Sequence, residues 1–212
     1  MNVLPIELII TISSSDPIAF ARMIKADRRV YKYILTIAGH KLFLSTCMEK
    51  QLTDKGVLTY SLITSKLHSF FGEPAVTRAD GDQEWYLHDK RHRVDGPAVT
   101  RADGWQEWYL NGKLHRVDGP AITGEDGTQM WYQNDERHRV DGPAITYFDG
   151  TQEWYLHGKL HREDGPAATC ADGTQIWYHN GAHHRVGGPA VIRVDGRQEW
   201  YLKGIEQATT LL

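Results

Sequence analysis

Cysteine is scarce in this chain, long apolar runs are missing, and serine stops early. The two cysteines, Cys47 and Cys170, stand far apart in the 212 residues and make no disulfide framework. That suits a reducing compartment. No apolar run approaches the ~20 residues a bilayer span needs. The opening stretch from Leu4 to Ile12 is short, carries Glu7 and lacks a basic leader. No secretory signal is expected from it. No serine follows Ser69, which removes a serine-based triad from the rest of the chain. No glycine-rich phosphate loop is present. Hydrophobic residues make up 41% and the mean hydropathy is −0.49, a lean supply for a core. The excess lies in 7 Trp, 10 Tyr, 20 Gly and 11 His.

The net charge of −3 conceals a split. Residues 1–72 carry a net +4 and the remainder a net −7, and every Trp falls after residue 80. A shift this sharp marks a boundary near residue 72.

The second part repeats with a period of 23, the spacing of Pro74, Pro97, Pro120, Pro143, Pro166 and Pro189. Trp85, Trp108, Trp131, Trp154, Trp177 and Trp200 keep the same spacing, each followed by Tyr and preceded two positions earlier by Gln. His-Arg follows seven residues after Trp, giving the columns His92, His115, His138, His161 and His184. Asp-Gly-Pro-Ala comes next, with Gly187 in place of Asp in the last copy, and then a second Asp-Gly. Lys66-Leu67-His68, Gly72 and Pro74 read as a decayed further copy. Decay is expected of terminal units, which have one neighbour each.

Pro and Gly in every unit exclude helix. Gln106 to Leu110 reads as a short aromatic strand, Asn111-Gly112 as a tight turn, and Lys113 to Arg116 as the return. Asp118-Gly119-Pro120 reads as a break or bulge in a long return strand that continues through Ala121-Ile122-Thr123. The predicted fold is mainly β, a single-layer antiparallel ribbon of hairpin repeats advancing about 9.6 Å per unit. Alternation puts Trp and Tyr on opposite faces, so columns of large rings are expected to form the core. Arg93 and its equivalents are placed to lie over the rings. Residues 4–36 read as short helices, from Pro5 at a first helical position and Asp16-Pro17 as a cap. The predicted division is a helical segment at 1–50, a linker with a degenerate capping repeat at 51–72, and six repeats at 73–212.

The recurring His columns do not form one metal site, because members of a column are separated by the repeat. They read as hydrogen-bonded structural residues. The denser group His179, His183 and His184 keeps metal binding open as the lesser reading, and no metal or cofactor is predicted. Cys170 replaces Arg, Gly or Tyr of sister units and reads as a tolerated variant. Glu84, Glu107, Glu153 and Glu199 read as a solvated face. Stacking aromatics and Arg invite nucleic acid, but the negative repeats oppose it. They oppose anionic membranes likewise. The basic Arg22, Lys25, Arg28 and Arg29 read as a solvated helix face.

Positions that vary between units are free to read a partner. Arg101, Arg193, Trp105, Tyr147 and Phe148 are the candidates, the last three as exposed aromatic surface of the hot-spot kind. Drift on a solvated edge is the competing explanation.

Trp-Tyr-x-x-Gly-Lys-x-His followed by Asp-Gly at period 23 resembles MORN repeats, a solenoid of β-hairpins. It departs from them in having His-Arg and the added Asp-Gly-Pro-Ala. This variant is similar to tandem-repeat proteins of giant DNA viruses of amoebae. Trp-Tyr hairpins also resemble choline-binding repeats, which lack the His-Arg-x-Asp-Gly-Pro-Ala segment. Leu4, Pro5, Glu7, Leu8 and Ile12 resemble the opening of an F-box. The resemblance implies a non-enzymatic interaction scaffold inside the cell, in host cytoplasm or a viral factory. In that reading the leader docks a ubiquitin-ligase adaptor and the ribbon presents a protein client. The alternative it implies is a self-associating structural component of a large DNA virus particle.

Overall fold

The computed structural model describes residues 48–61, 66–69 and 72–207. The predicted helical leader lies outside these residues, except that Met48 to Lys50 open a strand. The described secondary structure is entirely β. Two compact units divide between Lys90 and Arg91.

In the first unit, β1 (Met48–Thr53) and β2 (Gly56–Ser61) form an antiparallel hairpin, the longest strands described. Lys66–Leu67 pairs with the end of β2, and Val76–Arg78 with its start. Gln83–Glu84 then pairs with Val76–Arg78. Leu67 donates its N–H to the Asp89 carboxylate at 2.7 Å and accepts the Asp89 N–H at 3.0 Å.

The second unit repeats one construction. Its ladder alternates strands of two residues, beginning Val99–Thr100, Gln106–Glu107, Ile122–Thr123, Gln129–Met130 and ending Val191–Ile192, Gln198–Glu199. All neighbours are antiparallel, with Ile122 facing both Glu107 and Met130. Separate hairpins accompany the ladder, such as Tyr109–Leu110 with Lys113–Leu114 and Tyr155–Leu156 with Lys159–Leu160. The predicted aromatic strand is therefore cut in two at Trp. The Trp108 N–H bonds the Ala121 carbonyl at 2.7 Å, and its carbonyl accepts the His115 N–H at 3.0 Å. Residues 116–120 loop out opposite that one Trp, so the predicted bulge breaks both strands rather than the return strand alone.

The turns follow from their side chains. At the hairpin tips both central residues have positive φ, as at Asn111 (53°) and Gly112 (84°), the backbone of a type I′ turn. At the second Asp-Gly, the Asp carboxylate accepts the N–H two residues on: Asp126 from Thr128, Asp149 from Thr151, Asp172 from Thr174. This is the Asx turn that makes Asp recur there.

The core differs from the expected columns of rings. Ala75, Ala98, Ala121, Ala144, Ala167 and Ala190 are all 0% exposed, and Val76, Val99, Ile122, Ile145, Ala168 and Val191 beside them are buried. Trp85 is buried, but the later Trp side chains are half-buried. The small residue after Pro is enclosed because its backbone lies between two partners. Ala98 donates to the Glu107 carbonyl, as Ala190 does to Glu199. In addition, Ala121 and Ala144 accept from Trp108 and Trp131.

Candidate functional site

The His-Arg-x-Asp-Gly-Pro loop is the most elaborate part of each repeat. Its Arg lies flat on the Trp of its own hairpin. Arg116, Arg139, Arg162 and Arg185 sit 3.9, 4.1, 4.1 and 3.9 Å from the rings of Trp108, Trp131, Trp154 and Trp177. The other face of the guanidinium meets the loop glycine. A Cβ on Gly119 or Gly142 would stand 2.8 Å from the Arg116 or Arg139 Cζ. The Arg Nη1 then donates to the following Pro carbonyl, at 3.1 Å for Pro120 and Pro189. In two loops its Nε also donates to the Asp carboxylate, Arg93 to Asp95 and Arg139 to Asp141. One cation thus ties Trp, Asp, Gly and Pro together, which gives the recurring motif its chemical reason. The sequence placed Arg over Trp. It gave no sign that Gly closes the stack.

The His column stitches neighbours. His92, His115, His138, His161 and His184 each accept, through Nδ1, the N–H of the next hairpin tip, at Asn111, Asn134, His157, Asn180 and Lys203. The next residue of each tip bonds the preceding hairpin's carbonyl, as Gly112 does Arg91 and Gly181 does Leu160. Burial, with the His157 ring 4.6 Å away, holds the His138 imidazole below the ordinary His range, against a smaller opposing pull from Glu136. The neutral ring is the form that offers Nδ1 as an acceptor.

The Glu column is not the solvated face expected from its periodicity. Glu84 is 3% and Glu107 8% exposed. Arg78 and Tyr86 bind the Glu84 carboxylate at 2.6 and 2.7 Å. Glu107 accepts from Arg101 Nη2 at 3.3 Å and from Trp105 Nε1 at 3.1 Å. Arg193 meets Glu199 at 2.7 Å. Arg six positions before Glu is therefore a paired unit across the Asp-Gly turn. Where Arg gives way to Gly124 and Cys170, Glu gives way to Met130 and Ile176. That joint replacement was the overlooked sequence signal. Tyr147 keeps Glu153 without an Arg.

These pairs relocate the candidate partner-reading residues. Arg101 and Arg193 are committed to carboxylates. Trp105 is half-buried and packs over Gly124, so it is not free aromatic surface. Tyr147 is half-buried against Ala144, Ile145 and Tyr155. Phe148 alone of the three is largely exposed, at 72%. Three ladder steps, from Gln106–Glu107 to Ile145–Thr146, separate Trp105 from Tyr147 and Phe148, about 14 Å. The three do not form one patch.

The expected His cluster also divides. His183 Nε2 lies 2.8 Å from the Tyr178 hydroxyl and its ring against Tyr201. His179 instead meets His161 and His184, at ring distances of 4.7 and 5.6 Å. Burial and the Asp172, Glu153 and Asp149 carboxylates push the Cys170 thiol up, so it is a poor thiolate at neutral pH. Among the described residues, no helix is long and apolar enough to cross a membrane.

One exposed column went unnoticed in the sequence. In four loops the residue after Arg is a valine, Val94, Val117, Val140 and Val186, 65 to 82% exposed. Beside Val140 and Pro143, a cleft of about 650 Å³ reaches Trp154, His161 and Arg162. A cleft of about 780 Å³ beside Pro166 and Val186 reaches Trp177, His179 and His184. Four of the loops thus offer an apolar knob, and beside Val140 and Val186 it stands next to an open recess. No protein-family model matches the chain, and no curated protein matches it.

Proposed function

We propose that the chain is a non-enzymatic interaction scaffold, built from MORN-like repeats, whose loop edge receives a protein partner. The observation that carries this reading is the exposed valine column. The other recurrent positions of the loop are spent on building it: Arg on Trp, Gly under Arg, Pro accepting from Arg. An exposed β-branched apolar residue does nothing for that construction. Its recurrence at one loop position, next to recesses, is what a periodic partner surface requires.

Quantitative mass spectrometry of proteins co-purifying with the full chain tests it, comparing wild type with V117K/V140K. Loss of a discrete set of proteins from the variant, with unchanged circular dichroism, is expected. An unchanged set overturns the use of this edge.

In this reading the leader, with Leu4, Pro5, Glu7, Leu8 and Ile12, docks a ubiquitin-ligase adaptor inside the cell. These residues lie outside the described structure. Co-purified ligase subunits should disappear from L4A/P5A/L8A. The same valine column favours a second reading, packing on copies of the chain as a component of a large viral particle. High copy number in purified particles and V117K-sensitive self-association would select it.

A further inference from the structure

Two departures from the repeat meet in space. Glu163 stands where the other loops hold Val94, Val117, Val140 and Val186. His179 stands where other hairpins hold Leu87, Leu110, Gln133, Leu156 and Leu202. The loop residue and the hairpin residue come from successive repeats, and the column residue His161 lies with them. His161 Nε2 is 3.3 Å and His179 Nε2 3.7 Å from the Glu163 Oε1. One ligand atom from each of the three falls within 4.8 Å of the others.

We infer that His161, Glu163 and His179 bind one divalent transition-metal ion of the zinc class, joining two consecutive repeats. Two imidazoles and one carboxylate match the ligand preference of zinc rather than of calcium or magnesium. Donors about 2.0–2.1 Å from a tetrahedral ion lie about 3.3 Å from one another. Both contacts of Glu163 are near that separation already. His179 has a half-exposed side chain and Glu163 an exposed one, so small rotations complete the set. Solvent supplies the fourth ligand.

His161 is the fixed member. Its side chain is 11% exposed, and its Nδ1 accepts the Asn180 N–H at 3.2 Å. In that state Nε2 carries the ring proton and faces Glu163. Metal at Nε2 moves that proton to Nδ1. There the Asn180 Oδ1, 3.1 Å away, accepts it, in place of the bond from the Asn180 N–H. A polar partner on the far nitrogen is what orients a metal-bound imidazole. Arg162, next in sequence, is held on Trp154 and the Pro166 carbonyl.

Isothermal titration of the full chain with zinc chloride at pH 7.5 tests this. One ion per chain is expected, with a rise in melting temperature. E163V and H179L install residues that sister repeats already carry, so both should fold. Each should weaken zinc binding at least tenfold, while H183A, at the residue facing the tyrosines, leaves it unchanged. No saturable binding, or binding unaltered in either E163V or H179L, overturns the site. So does loss of binding in H183A alone.

Discussion

A single guanidinium organises each loop, and the cost of disturbing it is readable. The face of Arg139 opposite Trp131 is closed by Gly142, where a Cβ would stand 2.8 Å from Cζ. Gly142→Ala must push Arg139 off the ring or shift the loop, at a cost of about 1–3 kcal/mol. In an Arg139→Ala background most of that cost should vanish, because the clash is then absent. A double-mutant cycle in urea measures it, and additive effects would disprove the stack as the reason for Gly. His138 gives a second residue-scale expectation. Its folded pKa lies below the ordinary value of ~6.5. Its contribution to stability is therefore present above that ordinary value. It is lost as the pH falls through the folded pKa, when Nδ1 gains a proton and stops accepting the His157 N–H. NMR titration should place the His138 midpoint below that of a free imidazole. Acidification should open the His157 amide to hydrogen exchange.

Hairpin tips carry the element scale. Type I′ geometry asks for positive φ twice, which Asn-Gly supplies with least strain. Lys203 occupies the first position at φ 51° with a side chain poorly suited to it. Lys203→Asn should stabilise the Tyr201–Leu202 and Ile205–Glu206 hairpin by about 0.5 kcal/mol. The backbone bond from residue 203 to His184 remains available in that variant. Slower exchange of the Gly204 amide, which bonds the His183 carbonyl, is the readout. Buried Glu107 lies in the ladder strand Gln106–Glu107. Glu107→Gln keeps the volume but leaves Arg101 and Arg91 with a neutral acceptor. A loss of about 1–2 kcal/mol is expected, since hydrogen bonds to charged groups are the stronger kind. Thermal denaturation checks it, with Arg193→Gln at the more exposed Glu199 pair costing less.

At the scale of the molecule, each repeat bonds its neighbours through the same few groups. The His Nδ1, the tip amide and the two-residue ladder strands recur from unit to unit. Removing residues 120–142 joins Gly119 to Pro143 and restores the Gly-Pro junction. The shortened chain should stay folded, because contacts run between adjacent units. Its urea m-value should fall by roughly one-sixth, in step with the surface exposed on unfolding. Collapse of the whole fold on such a deletion would show that distant repeats depend on one another.

The period, the turns and the hairpins were all legible in the sequence. Asn-Gly, the second Asp-Gly and Pro act locally, and local backbone chemistry is what a sequence displays. Gln106 to Leu110 was legible as strand, but its break at Trp108 was not. That break is forced by a loop whose Arg folds back onto the ring. Alternation alone suggested a core of Trp and Tyr, whereas the enclosed residue is the alanine between two backbone partners. The carboxylate column looked solvated because its partner Arg lies six positions away across a turn. His161, Glu163 and His179 became neighbours only when successive repeats were laid side by side. The sequence by itself determined that the chain from residue 73 on is one β-hairpin unit written repeatedly, since every unit must satisfy the same backbone. Only the tertiary structure decided which of its side chains are enclosed, which are paired, and which valines face water, because those depend on the adjoining repeat.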